Sequence, residues 1–486
     1  MHRPGWFHAM WLMPEATERS PAVRWECRAR HGDVLDRSRC QGWGPSAEPE
    51  KESRFAGVVG SMTAPQPFPT PPPRVKVPDR SQMEMRMSCL DDLLSVDHQA
   101  RSVWEYVARL DLSPLYERVK ARGSVAGRTA HNPHVLLALW LYAVVDGVSS
   151  ARHLSELCSE HIAYQWLCGG EAPNAHTLSD FRVQQEALVD RLLTNSVAQL
   201  RHAGLVSLEV VAQDGMRVRA AAGSNSFHRL ETLEKMRDEA AARVAALKAE
   251  AEANPAASRT RKRAAQERGA RERLERIEAA LAEGERIAAS GKKPQDMIRV
   301  STTDPQARVM KMPDGGFRPC YNVQFATDTS SQVIVGAEAV NDGTDRHQSS
   351  RMRDQIDDRY GQGPETLLVD GGFVSIEDIE YLDRAGTTFV GPTPIPQDPL
   401  RDRHQPLPGD SPVLARWRTR MGDAAIKVLY HLRAATAECV NAIARNRGLR
   451  HVSVRGATKT TTISRWFALA HNVLRATTLM AQPVPA

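Results

Sequence analysis

The sequence predicts an α/β protein whose N-terminal part carries a separate all-helical domain. Three features of the 486-residue chain predict this. Apolar side chains recur at helical spacing from about residue 88 to residue 205. Beyond residue 206, short apolar runs typical of strands lie before, between and after helical stretches, which is the pattern of the α/β class. Two of these runs, VVAQDG and LLVDGG, lead straight into an Asp-Gly pair.

Length and composition limit the class of protein. A chain of 486 residues is long enough for two or three domains. Its longest apolar run, PHVLLALWLYAVV, is shorter than the roughly 18–20 residues that span a bilayer, so no membrane partner is expected. Seven scattered cysteines include no CxxC pair, which argues against a zinc ribbon or a disulfide framework and favours the cytoplasm. The net charge of +6 favours a polyanionic partner.

The N-terminal region divides into two parts. Residues 1–87 are rich in Pro, Arg and Trp without a period and close with APQPFPTPPPRVKVPDR, which predicts a disordered extension. Residues 88–205 form the predicted helical domain. That domain could hold a helix-turn-helix in which Arg152, His153 and Arg182 contact phosphates. Core packing explains the same pattern, so both interpretations stay open.

The C-terminal half is predicted to form a domain over residues 206–480, followed by a tail at 481–486, and it contains a charged insertion. Residues 229–291 are dominated by Ala, Glu, Arg and Lys and are split by Asn254-Pro255, which predicts a helical hairpin. Within it, the run RTRKR places Arg261, Lys262 and Arg263 together as candidate phosphate contacts. A solvated helix face is the alternative for such a charge run.

The remaining elements of this half follow in order. RPCYNVQFATD and QVIVGAEAV are predicted strands, and a helix over 345–360 precedes the strand TLLVD. A helix over 375–385 leads to TTFVGPT. The last long helix is predicted to begin at Asp423, a suitable N-cap, and to end at Gly448.

Asp214 and Asp370 are the candidate chemical groups at the ends of two buried strands. Carboxylates at neighbouring strand ends would lie a few ångströms apart, and like charges that close need something positive between them. Oxygen-only ligation by carboxylates is the preference of Mg²⁺ or Mn²⁺. The glycine after each aspartate is expected to form a turn and to let substrate or metal approach the backbone. The pair therefore predicts a hard divalent cation site.

Glu438 is the candidate third acid. It lies inside the last long helix, and its spacing of seven residues puts Arg445 on the same face. By pattern alone, a lone glutamate on a helix is more often a solvent-facing residue. The motif around Glu438 favours the functional interpretation.

Four blocks of the sequence resemble the DDE transposases of bacterial insertion sequences, in the broad group numbered four and five and most closely the family numbered eleven eighty-two. AQDGMRVRAAAGSNSFHR resembles the first-aspartate block, and STTDPQARVMKMPDGGFRPCYNVQFATD resembles the mid-core segment. LLVDGGFVS resembles the second-aspartate block, and YHLRAATAECVNAIARNRGLRHVSVRGATKTTTISRWFALAHNVLRA resembles the C-terminal block. Residues 128–182 resemble the N-terminal domain of the same enzymes. The resemblance covers roughly 88–478.

The resemblance implies an RNase H-like core and a chemistry. Asp214, Asp370 and Glu438 are implied as catalytic residues and as ligands of Mg²⁺ or Mn²⁺, with two ions expected. These ions would support cleavage at a transposon end and attack of the released 3′-OH on target DNA. The partners implied are transposon-end DNA, target DNA and a second copy of the chain. Contacts to phosphates are implied for Tyr430, Arg433, Arg445, Arg455 and Lys459.

One departure from the wider signature concerns a spacing. The signature has Tyr, then Arg three residues later, then Glu four after that, whereas Glu438 comes five residues after Arg433. In an unbroken α-helix these two side chains would point about 140° apart. Either the helix begins later than predicted, or Arg433 is not a direct phosphate ligand.

Other functions fit parts of the pattern. A metal-dependent nuclease without strand transfer would use the same fold. An inactive DNA-binding derivative would keep the acids and have lost mobility. A helical scaffold with a charged arm does not explain the repeated strand-Asp-Gly pattern.

Overall fold

The computed structural model describes residues 81, 83, 85, 87–123, 129–253, 261–291, 294–398 and 400–481. The predicted extension, residues 1–87, and the predicted tail, residues 481–486, lie almost entirely outside these ranges. The described residues from Ser88 onward belong to one compact unit. Within the described ranges, every helix is too short or too polar to cross a membrane.

The first part of the described chain is helical. Asn132 caps the third helix by accepting a hydrogen bond from the His134 N–H, and Pro133 stands at the first helical position. This helix is apolar all round and buried on nearly every side, which explains its long apolar run. The helices are α1 (Gln99–Ala108), α2 (Ser113–Glu117), α3 (Pro133–Val145), α4 (Ala151–Glu160), α5 (Ile162–Cys168), α6 (Ala175–Gln184) and α7 (Glu186–His202).

A mixed sheet follows. The strands of the described chain are β1 (Val210–Arg219), β2 (Phe227–Arg229), β3 (Arg299–Ser301), β4 (Arg308–Lys311), β5 (Phe317–Asp328), β6 (Ile334–Val340), β7 (Thr366–Leu368) and β8 (Thr388–Val390). The main sheet has the order β4-β5-β1-β7-β8, and β6 also pairs with β5. β1 is antiparallel to β5 but parallel to β7, and β7 is parallel to β8. The α/β class is thus confirmed, and the strand order is consistent with an RNase H-like core.

A helical hairpin occupies the predicted insertion. It consists of α8 (Leu230–Ala253) and α9 (Arg261–Ala289), which pack along each other. Leu233 on α8 and Ile277 on α9 are buried with Val300 of β3, so a small apolar core closes the base of the hairpin. The hairpin is therefore fixed to β2 and β3, the strands that follow the end of β1.

The C-terminal helices cover the sheet. They are α10 (Gln348–Tyr360), α11 (Ile376–Arg384), α12 (Pro412–Gly422), α13 (Ala424–Arg433), α14 (Cys439–Asn446) and α15 (Ala457–Ala481), with a π-helical turn at Ala434–Glu438 between α13 and α14. α15 packs against α3, α7 and β6. The helical part and the sheet thus share one hydrophobic core. The domain boundary between residues 205 and 206 stays a prediction.

One expectation about the strands is wrong. The sequence pattern predicts that the strand ends at Asp214, but β1 continues through Asp214 to Arg219 and pairs with β5 from Val211 to Arg219. Gly215 therefore does not form a turn. Gly215 lies within the strand. Glycine is needed at this position because a Cβ would come within 2.4 Å of Gln324 Nε2 and 2.5 Å of Asp345 Oδ1.

Candidate active site

Asp214 and Asp370 lie level with each other on neighbouring parallel strands. β1 and β7 pair residue by residue from Val210 opposite Thr366 to Ala212 opposite Leu368. The same register carried two residues further sets Asp214 opposite Asp370, which follows the end of β7. Neighbouring strands are about 4.8 Å apart, so the two carboxylates are close. The topology of the sheet thus brings together two acids that are far apart in the sequence.

The electrostatics of Asp214 report this proximity. Burial raises the pKa of Asp214 to about 6, and the charge of Asp370 acts in the same direction. Three groups oppose the rise in pKa: the Arg433 guanidinium, the Gly215 N–H and the Asn441 amide. The Gly215 N–H donates to Asp214 Oδ1 at 2.8 Å, and Asn441 Nδ2 donates to Asp214 Oδ2 at 3.1 Å. The site therefore holds excess negative charge that favours a cation.

Glu438 is joined to this pair by Arg433. The Arg433 guanidinium donates to Glu438 Oε1 at 2.5 Å and lies 3.9 Å from Asp214 Oδ2. The Arg433 side chain is 14% exposed, whereas that of Glu438 is 52% exposed. Arg433 thus stands between two of the three candidate acids, where its charge compensates theirs.

A π-helical turn explains the unusual spacing between these residues. The turn at Ala434–Glu438 lies directly after Arg433. In a π-turn the backbone hydrogen bonds join residues five apart, so residues with that separation share a face, as residues four apart do in an α-helix. The expectation that Arg433 points about 140° away from Glu438 is therefore wrong. The one extra residue in the sequence is taken up as a local widening of the helix, and the two side chains meet.

Tyr430 completes the cluster on α13. Its ring centroid lies 5.9 Å from the Arg433 guanidinium carbon, in cation–π range. Burial raises the pKa of Tyr430, and the Arg433 charge opposes this rise. Asp423 caps the start of α13 by accepting a hydrogen bond from the Ala425 N–H. The helix thus begins at the predicted residue and carries Tyr430 and Arg433 to the acids.

The other predicted phosphate contacts lie outside this cluster. Arg445 is partly buried on α14, Arg455 is exposed in the loop before α15, and Lys459 is exposed in the first turn of α15. Arg261 and Lys262 are exposed at the start of α9.

Arg263 is the exception in the hairpin. Its guanidinium donates to Glu250 Oε2 at 2.6 Å and to the Leu247 carbonyl at 3.5 Å. It joins the two helices of the hairpin and is 19% exposed. Its assignment as a phosphate contact stays a prediction, and in the structure its charge is paired within the hairpin.

Arg182 is likewise committed to the fold. It is buried, its guanidinium lies 4.5 Å from the Trp140 ring centroid, and it donates to the Ser149 carbonyl at 2.6 Å. It packs the helical part together, while Arg152 and His153 are exposed on α4.

Two polar residues of the site were not identified from the sequence. Asn441 is buried on α14 one turn after Glu438, and only its contact with Asp214 reveals its position. Asp345 lies in the loop before α10 and accepts hydrogen bonds from Asn322 Nδ2 at 2.6 Å and Gln324 Nε2 at 2.8 Å. The Arg217 guanidinium pairs with Asp345 at 3.3 Å.

Asp345 lies against both glycine segments that follow the candidate aspartates, Asp214 and Asp370. A Cβ on Gly215 would lie 2.5 Å from Asp345 Oδ1, and a Cβ on Gly372 would lie 3.7 Å from Asp345 Oδ2 and 3.0 Å from Asp370 Oδ1. The glycines were the available signal in the sequence, because each marks a close approach of another group. The sequence predicts that substrate or metal approaches these glycines, whereas in the structure the group close to both of them is the Asp345 carboxylate.

The donor set suits a hard cation, but the acids are not arranged around one. Among the described residues, no group of three His, Cys, Asp or Glu side chains is placed to hold a metal ion as it stands. Asp214, Asp370 and Glu438 supply oxygen atoms alone, which Mg²⁺ and Mn²⁺ prefer. The Glu438 carboxylate is instead paired with the Arg433 guanidinium. Binding of a metal ion by all three therefore requires Glu438 to exchange Arg433 for the ion.

Two segments of the chain match known families. Residues 88–184 match the family described as Transposase domain (DUF772). Residues 295–473 match the family described as Transposase DDE domain. The second match includes Asp370 and Glu438, and Asp214 precedes it. No curated protein and no solved structure matches the chain.

Proposed function

We propose, from these two matches together with the geometry of the acids, that this chain is a DDE transposase that cleaves transposon-end DNA and transfers the released 3′-OH to target DNA. The two matches support a DDE transposase, an enzyme class that cleaves and transfers DNA. The observation that carries the assignment of the site is the placement of Asp214 level with Asp370, with Glu438 tied to Asp214 through Arg433. The finer assignment, to the family numbered eleven eighty-two, rests on the resemblance of the four sequence blocks.

Three acids are proposed to hold Mg²⁺ or Mn²⁺. Asp214 lies in β1, Asp370 lies two residues after the end of β7, and Glu438, which is half-exposed, can turn toward them. A pair of such ions, when bound, would stabilise the attacking and leaving oxygens of an in-line displacement at phosphorus. The raised pKa of Asp214 supports this proposal. Burial and the charge of Asp370 both make the ionised carboxylate unfavourable at this position, and strongly shifted pKa values are typical of functional sites.

Arg433 and Tyr430 are proposed to position the phosphate. A guanidinium presents a planar fork of donors that suits a phosphate as well as a carboxylate. When Glu438 leaves Arg433 for the metal site, the guanidinium becomes available to the DNA backbone beside the acids. Water is the proposed nucleophile for cleavage, and the DNA 3′-OH is the proposed nucleophile for joining. Because neither nucleophile belongs to the protein, no covalent enzyme intermediate is needed. Both steps are proposed to use the same site. Two copies of the chain are expected in the complex, because two transposon ends are joined.

The test is DNA cleavage by Asp214→Asn. With Mg²⁺ and a plasmid that carries the element's ends, the wild-type protein is expected to nick at the ends and to join labelled end DNA to a target plasmid. Asp214→Asn is expected to lose both activities and to keep DNA binding. Asp314→Asn, a change at an exposed acid in the turn between β4 and β5, is the matched control and should stay active. Cleavage by Asp214→Asn at the wild-type rate would overturn the assignment of the site, and nicking without joining would favour a nuclease.

A further inference from the structure

A small cavity lies where the helical part of the chain meets the C-terminal helices. Its volume is about 30 Å³, which gives room for about two water-sized oxygen atoms. The polar residues that line it are Ser149, Arg182, Arg447 and His451, and the other lining residues are apolar or glycine. Ser149 is exposed, which places the mouth of the cavity just before α4. Two cationic side chains thus share a cavity in which none of the described lining residues is acidic.

Arg182 uses only part of its guanidinium within the fold. Its Nη1 donates to the Ser149 carbonyl at 2.6 Å, and the group lies against the Trp140 ring. Its Nε is buried and has no hydrogen-bond partner among the described residues. Burial alone lowers the pKa of Arg182 to about 10, so the group stays charged at neutral pH. Because a buried charge without a partner is costly, the unused edge of this guanidinium favours an anion.

Arg447 reaches the same cavity from the C-terminal part of the chain. It follows α14, and its backbone packs against Gly147, where a Cβ would lie 3.6 Å from the Arg447 carbonyl carbon. Its guanidinium forms no hydrogen bond or ion pair within the described chain, and its Nη1 is buried. Burial lowers the pKa of Arg447. The fold pairs two other largely buried arginines, Arg359 and Arg465, with Asp190, so the lack of a carboxylate beside Arg447 sets it apart from them.

The chemistry of the cavity favours a phosphate group as the missing partner. A guanidinium is a donor only, so the unused nitrogens of Arg182 and Arg447 need an acceptor. His451 supplies no charge, because burial and the charge of Arg219 lower its pKa and keep it neutral at neutral pH. Guanidinium groups bind phosphate through charge-assisted hydrogen bonds to its oxygens. A phosphodiester has two free oxygens, which is about the number that the cavity can hold.

We propose that Arg182 and Arg447 form a phosphate-binding site, in which Arg182 Nε and Arg447 Nη1 donate to the oxygens of one phosphate group. The group is a phosphate of a DNA backbone seated beside Ser149 or a free phosphate ion, and both sources share this chemistry. The DNA source rests on the proposed function, whereas the site itself does not. Because Arg182 lies on α6 and Arg447 follows α14, the bound phosphate joins the helical part to the part that carries Glu438.

The first test is calorimetric titration of the full chain with inorganic phosphate at constant ionic strength. The wild type is expected to bind one phosphate per chain, and more tightly than acetate. Arg447→Gln should weaken this binding by roughly 10- to 100-fold, because it removes a charged donor. It should still fold, since its guanidinium has no partner to lose, and thermal unfolding without phosphate checks this. Arg450→Gln, an exposed position three residues further on, is the matched control and should bind phosphate like the wild type.

Three results of this titration would overturn the inference. They are a wild type that does not bind phosphate, acetate binding as tight as phosphate binding, and equal phosphate affinity of Arg447→Gln and the wild type. The first two need no variant, so they decide the question even if Arg447→Gln fails to fold.

The second test identifies the source of the phosphate by repeating the titration with a saturating mixed-sequence DNA duplex. If the DNA backbone is the source, the duplex abolishes binding of inorganic phosphate, and Arg447→Gln lowers the slope of log K for DNA against log salt by about 1. If the free ion is the source, phosphate binds equally with and without DNA and the slope is unchanged. Both results support the site. A wild type that binds phosphate but neither binds nor cleaves DNA would overturn the proposed function and leave the site standing.

Discussion

Asp214→Asn is expected to stabilise the metal-free protein at neutral pH. In the folded chain the pKa of Asp214 rises from 3.8 to about 6, because the carboxyl is buried and lies beside Asp370. A pKa that is raised on folding means that the charged form is less stable in the folded than in the unfolded state. The folded protein therefore loses stability as pH rises from 3.8 through 6, and it carries the full penalty at neutral pH.

The size of the effect follows from the pKa. A rise of about 2 pKa units corresponds to about 3 kcal/mol. The side chain is 18% exposed, so little of this is lost to solvent screening. Asparagine has the same shape without the charge. Among the described residues, the buried Asn441 Oδ1 has no hydrogen-bond partner. If the Asn441 amide flips, its Oδ1 can accept a hydrogen bond from the Nδ2 of the new asparagine at position 214. For the roughly 380 residues that the structure describes, 3 kcal/mol raises the thermal midpoint by about 4 °C.

The assay is thermal unfolding in the presence of a chelator, followed across pH. The variant should unfold at a higher temperature than the wild type at neutral pH, and the difference should vanish below pH 3.8, where Asp214 is protonated in both states. Mg²⁺ should then raise the midpoint of the wild type more than that of the variant, because the ion binds the folded wild type more tightly. A wild type as stable as the variant at neutral pH would refute the reasoning, since Arg433 would then compensate the site completely.

Three further predictions follow from particular contacts. Deleting Ala435 should convert the π-turn into α-helix, keep Arg433 and Glu438 on one face and leave DNA cleavage within about tenfold of wild type. Deleting Ala442 from the regular helix α14 should abolish cleavage, because it turns the buried Ala444 and the rest of the helix by about 100° about the helix axis. Gly215→Ala should lower the free energy of unfolding by about 1–3 kcal/mol in denaturant titrations, since its Cβ would overlap the side chains of β5, while the same change at Gly223, which has open space around it, should be neutral. Arg263→Ala should expose the hairpin to limited proteolysis without changing the salt slope of DNA binding, and a lower slope would instead support Arg263 as a phosphate contact.

The sequence could predict the class of fold and the candidate acids. Helical spacing, apolar runs and capping residues such as Asp423 are local signals, and each is readable from its neighbours in the chain. The two Asp-Gly pairs stood out because an acid inside an apolar strand is costly without a reason. The structure gives the reason: the two glycine segments share Asp345 as a neighbour, and Asp214 and Asp370 lie at the same level in the sheet. Both features depend on contacts between distant segments of the chain.

The helix spacing illustrates the same division. In the sequence, the spacing of five residues from Arg433 to Glu438 departs from the signature, and regular helix geometry puts the two side chains on different faces. Only packing decides whether a helix absorbs one extra residue as a π-turn, because the local cost must be offset by contacts such as those of Asp214 with Arg433 and Asn441.

The sequence by itself determined which residue types were available: three widely separated acids and a charged hairpin. The tertiary structure decided which of them meet. It set Asp214 level with Asp370, placed Arg433 against Glu438, used Arg263 inside the hairpin and brought Arg182 and Arg447 to one cavity. The physical reason is that composition and periodicity act within one element, whereas strand register and helix docking are fixed by the burial of the whole core.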